Sequence, residues 1–85
     1  MHNEVGNSPL YHSVMHNNLE TAEFILDLGV DIHQRNEHGN TALHKAMMIG
    51  NFYMIKMLVE RGASVQILND YDQTPIYFAS NSMLL

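Results

Sequence analysis

The sequence predicts an all-α fold: a solenoid of stacked helix-turn-helix units joined by extended β-turn loops. Three observations carry that expectation. Residues recur at a fixed step of 33 with no insertion or deletion, as in Gly6 and Gly39, Gly29 and Gly62, Leu10, Leu43 and Ile76, and Ser8, Thr41 and Thr74. Apolar residues within each copy follow the helical rather than the strand period. Glycine, asparagine and hydroxyl residues fall where such helices would start and stop. A helix pair of this size cannot bury its apolar face alone, so the copies must stack.

Each element has a local reason. Gly6 and Gly39 sit where a tight turn needs positive φ. Ser8 and Thr41 follow two residues later, placed to cap a helix N-terminus. Pro9 and Pro75 fall at the first helical position, where the missing N–H costs nothing. Helices are expected over Pro9 to His16, Ala42 to Ile49 and Pro75 to about Ser82, with Asn17 and Gly50 ending the first two through the left-handed conformation. A second helix follows in the first two copies. Its apolar face is expected to hold Leu19, Ala22, Ile25 and Leu26, repeated as Phe52, Ile55, Leu58 and Val59. Lys56 and Arg61 fall in the later turns of the second copy, favourable for the helix dipole. Gly29 and Gly62 stop these helices, and the segments VDIHQRNEH and ASVQILNDYD run extended to the next turn.

Composition narrows the function. The 85 residues suit one small domain. Without cysteine there is no disulfide and no thiolate metal site, and an intracellular, cytoplasmic location is the expectation. No apolar run approaches the ~18 residues of a membrane span. The start, MHNEVGNSP, lacks the basic-then-apolar pattern of a secretory signal. A formal charge of −5 with only four Lys and Arg argues against a nucleic-acid surface, which needs clustered cations.

The candidate chemistry is thin. His12 and His16 share a helix face at a spacing that can hold zinc, but zinc needs further ligands, and His38 would have to join them. Two solvated histidines are the favoured reading. Ser8, Ser13, Ser64, Ser80 and Ser82 have no predicted base beside them, and Glu20 with Glu23 reads as a solvated face. The glycines are isolated at turns rather than gathered in a phosphate loop. No catalytic, cofactor-binding or metal residue is assigned, and the chain is not expected to be an enzyme.

The 33-residue period with Thr41, Leu43, His44, Ala46, Gly50, Leu58, Gly62, Ala63 and Val65 resembles the ankyrin repeat. Ser8, Pro9, Leu10, Leu26, Gly29, Asp31 and Ile32 carry the likeness in the first copy, and Thr74, Pro75, Ile76 and Ala79 in the third. The resemblance divides the chain into repeats at 3–35 and 36–68 and a partial third at 69–85. Ala42, Asp72 and Met83 depart from its usual Pro, turn Gly and helix-ending Gly or Asn, and Tyr11 and Tyr77 stand where it has His. The resemblance implies that Thr41 and His44 hydrogen-bond across the helix start as an architectural device related to the capping box.

It also implies a protein partner held on the concave side, by turn tips and first helices. The tips are Glu4, Val5 and Asn7, then Glu37, His38 and Asn40, then Asp70, Tyr71 and Gln73. The helix positions are His12, Met15 and His16, then Lys45, Met48 and Ile49, then Phe78, Asn81 and Ser82. The expected contact set is Glu37, His38, Asn40, Lys45, Met48, Ile49, Asp70, Tyr71, Gln73 and Phe78. Met15, Met48, Ile49, Tyr71 and Phe78 are apolar at positions the architecture leaves free, and contiguous exposed apolar area marks interfaces. Acidic tips would favour basic residues at the partner's rim. The alternative is a truncated structural fragment of a larger ankyrin protein, either without a partner or self-associating through the apolar end Met83, Leu84 and Leu85.

Overall fold

The structure, a computed structural model, describes residues 8–83, with side chains as far as Ala79. Five helices follow in order: α1 Pro9–Met15, α2 Leu19–Asp27, α3 Ala42–Ile49, α4 Phe52–Glu60 and α5 Pro75–Met83. There is no strand among the described residues. The expected Gly6 turn, the tip residues Glu4, Val5 and Asn7, and the end residues Leu84 and Leu85 lie outside them. So do the side chains of Ser80, Asn81, Ser82 and Met83.

The helix ends form as their residues dictate. Ser8, Asn18, Thr41 and Asn51 are extended N-cap residues whose side-chain oxygens accept backbone N–H groups of the first turn. These bonds satisfy donors that a helix start leaves bare. Asn17, at φ 60°, and Gly50, at φ 83°, turn the chain out of α1 and α3 in the left-handed conformation. The first helix is one residue shorter than expected, because His16 is its C-cap. Arg61 likewise lies at the C-cap of α4, and its guanidinium reaches Asp27 Oδ1 at 2.7 Å in the preceding repeat.

The helices form two layers. In one, α1, α3 and α5 lie side by side with α3 between its neighbours; in the other, α2 packs on α4. Pairs α1–α2 and α3–α4 join the layers. The core between them contains Leu10, Val14, Ala22, Leu43, Met54 and Leu58, each at most 1% exposed.

The face expected of α4 holds at Leu58, which is buried, and at Ile55, which packs on the core, and needs correction at its other two residues. Phe52 is 61% exposed and Val59 42%, whereas Met54 and Met57 are buried beside Leu58. A helix in the interior of a stack has two flanks, one toward each neighbouring repeat. The flank of α4 toward repeat 1 carries Met54, Met57 and Leu58, and that is the flank with a neighbour.

Candidate functional site

The turn tips are built by asparagine. The Asn36 side-chain oxygen accepts the N–H groups of His38 at 2.9 Å and Asn40 at 3.0 Å, and its own N–H donates to the Asn40 carbonyl. Asn69 repeats this 33 residues on, accepting from Tyr71 and Gln73, both at 2.9 Å, and donating its N–H to the Gln73 carbonyl. Sequence reasoning missed this role; an asparagine three residues before the left-handed turn residue, recurring 33 residues on, is the signal that carries it. Gly39, at φ 80°, completes the first turn, and Asp72, at φ 62°, takes that conformation in the second.

The two tips are stitched together. The Asp70 N–H donates to the His38 carbonyl at 3.0 Å. The Asn69 amide donates to Asn40 Oδ1 at 2.8 Å and Gln73 Oε1 at 2.9 Å. The tips approach so closely that a Cβ on Gly39 would stand 2.8 Å from the Asp70 backbone nitrogen, inside any real contact distance.

His44 locks α3 to the following turn. Its Nδ1 accepts the Thr41 N–H at 3.0 Å and lies 2.9 Å from the Thr41 hydroxyl, while the His44 N–H points to that hydroxyl oxygen at 3.4 Å. Its Nε2 lies 2.9 Å from the Gln73 carbonyl, which can only accept, so Nε2 carries the proton. The ring is therefore neutral, with every polar atom used. Burial pushes its pKa below the usual histidine value, in line with that state. Tyr11, in the same register position of repeat 1, is also buried, with the Asn40 and Asn36 side chains near its hydroxyl; burial pushes its pKa up. The longer side chain thus reaches the same part of the next turn, which explains why tyrosine can stand for histidine there.

The expected contact residues divide into two groups. Glu37, His38, Asp70 and Tyr71 are exposed at the tips, and Ile49 is exposed on α3. The His38 and Tyr71 rings lie 6.1 Å apart, with Nδ1 and the hydroxyl at 3.3 Å. Lys45, Met48 and Phe78 are half-buried, and the Phe78 ring meets His44 edge-on. Asn40 must be corrected: it is 7% exposed, and its side chain is spent on Asn69 within the array. Gln73 is half-buried and gives both its backbone and side-chain oxygens to the same stitching.

His12 and His16 are exposed with ring centroids 4.7 Å apart. They line a groove at the outer end of repeat 1 with Ser8, Thr21, Ile25 and Arg35. His38 instead faces Glu37 and Tyr71. No group of three or more potential metal ligands gathers among the described residues. No helix there is long and apolar enough to cross a membrane.

Comparison with curated proteins gives no match. The family model for ankyrin repeats in three copies matches residues 10–84. With its stacked helix pairs, asparagine-built tips and Thr41–His44 cap, the chain belongs to the ankyrin repeat family, whose members generally mediate protein–protein interaction.

Proposed function

We propose that the chain is a non-enzymatic interaction module that holds a protein partner on its concave side, at the tips and the α1, α3, α5 layer. The observation that carries this reading is Tyr71. It is 62% exposed on a turn whose backbone is fixed by Asn69 and bonded to the preceding tip. An exposed aromatic on a rigid support loses little freedom on binding, which is what an affinity anchor requires. Ile49 on α3 and Met15 on α1 are further exposed apolar side chains, at 39% and 36%. Glu37 and Asp70 set an acidic rim that suits a partner with basic residues around an apolar centre. Asn40 and Gln73 support this surface from behind rather than contacting the partner.

The test begins with a photoreactive residue at position 71, which identifies the bound protein by mass spectrometry. That protein, purified, is then titrated against the chain. Changing Met48, Ile49 and Tyr71 together to serine should leave helicity unchanged and weaken binding at least about tenfold. Equal affinity in the triple variant would refute the concave-face reading. Loss of the fold would show that these side chains are core.

A further inference from the structure

Two histidines bond from one repeat to the next, in opposite senses. His44 donates from Nε2 to the Gln73 carbonyl. His33 accepts: the Ser64 N–H donates to His33 Nε2 at 2.9 Å. A backbone N–H can only donate, so His33 Nε2 is bare, and the neutral ring keeps its hydrogen on Nδ1. Both ends of this bond are set locally. On repeat 1, Asp31 folds the chain into a turn; its carboxylate accepts the His33 N–H at 2.9 Å and its carbonyl accepts the Gln34 N–H at 3.2 Å. On repeat 2, the Ala63 N–H closes onto the Leu58 carbonyl at 3.0 Å past the end of α4, which fixes the chain one residue before Ser64. The two rings differ in their access to solvent. His44 is 0% exposed, whereas His33 is half-buried.

We propose that the His33–Ser64 bond is a proton-sensitive link between repeat 1 and repeat 2, closed while the ring is neutral and released when Nε2 takes up a proton. Protonation replaces the one lone pair on Nε2 with an N–H, and an imidazolium has no acceptor left. Two donors then face each other, and the Ser64 N–H has no partner until the loops part and water reaches it.

The charged surroundings leave the ring to act alone. The facing loop, Gly62 to Gln66, contains no titratable side chain. On the ring's own turn, the Asp31 carboxylate is tied to the His33 N–H. Asp27 and Arg61, at the ends of the helices that lead into the two loops, are paired with each other at 2.7 Å. His33 itself forms no ion pair among the described residues. Acid therefore acts on one junction of the folded chain. The next junction keeps its bonds, because the Asn69 and Asn40 amides do not titrate and the His44 ring is sealed from solvent.

The experiment is an NMR titration of the isotope-labelled chain from about pH 8 to 5, the range in which histidine changes charge. At the upper end the His33 ring is expected as the Nδ1–H tautomer and the His44 ring as the Nε2–H tautomer, which the ring nitrogen shifts distinguish. As pH falls, the Ser64 amide shift should follow the same midpoint as the His33 ring. Its hydrogen-exchange protection should drop at least about fivefold more than that of Ala46 in α3. His33→Gln offers an amide oxygen to the same N–H and does not titrate, so it should abolish the Ser64 response; His44→Gln should leave that response in place. An Nε2–H tautomer of His33 at the upper pH overturns the proposal. So does a Ser64 response with a different midpoint, or one that persists in His33→Gln. The tautomer and the midpoint are read on the unaltered chain, so they decide the matter even where a variant does not fold.

Discussion

His44 is the residue on which sequence and chemistry first diverge. Histidine beside a turn suggests a ligand or a proton carrier, but both ring nitrogens are committed: one accepts from Thr41, the other donates to Gln73. Protonating Nδ1 would set a new N–H against the Thr41 N–H. The burial that lowers its pKa therefore has a stability consequence. In the unfolded chain His44 titrates near the ordinary value of about 6.5. Above that pH both states hold the neutral ring and the contribution is complete. As pH falls below about 6.5 the unfolded chain takes up a proton that the folded chain refuses, so stability declines until the folded-state pKa is passed. Urea midpoints should fall between pH 7.5 and 5, a window largely above carboxylate titration. The fall should be smaller in His44→Gln, which keeps a polar side chain without the titration. An identical pH dependence in that variant would remove His44 from the account.

At the scale of the element, the starts of α1 and α3 and the ends of α1 to α4 were legible because each is written locally, in a hydroxyl cap or in a left-handed Asn or Gly within one turn of the end. The buried flank of α4 was not. Phe52, Ile55, Leu58 and Val59 do form an apolar row, and so do Met54, Met57 and Leu58. Periodicity reports both rows and says nothing of which has a neighbour. The energetic contrast is large. Met54→Ala removes fully buried atoms between two repeats and should cost about 2–4 kcal/mol. Phe52→Ala removes an exposed ring that meets Tyr53 edge-on and should cost under about 0.5 kcal/mol. Denaturant titration of the two variants checks this directly; equal losses would contradict the assignment of flanks. Asn40 was misread for a related reason. Its tip position suggests solvent, but its partner, Asn69, lies 29 residues away in the next repeat, and no local pattern announces such a bond.

For the whole molecule, stability in a stacked array is a sum of units and the junctions between them, so residues with junctions on both sides are held hardest. α3 is that element: it touches α1, α4 and α5, whereas α2 rests on α1 and α4, and α5 rests chiefly on α3. The junctions are mostly apolar packing and neutral hydrogen bonds such as His44 to Gln73, Asn69 to Asn40 and Ser64 to His33. The Arg61–Asp27 pair that spans them is largely exposed and adds little. Native-state hydrogen exchange should therefore show the slowest amides in α3, at Ala46 and Met47, with α2 and α5 exchanging at least about tenfold faster through partial opening of the ends. Raising salt from about 0.05 to 0.5 M should leave that order intact, because screening weakens exposed charges but not buried contacts. Protection in α5 equal to that in α3 would mean that α5 is held by something more than its contact with α3, and an order that reversed with salt would mean that charge, rather than packing, joins the repeats.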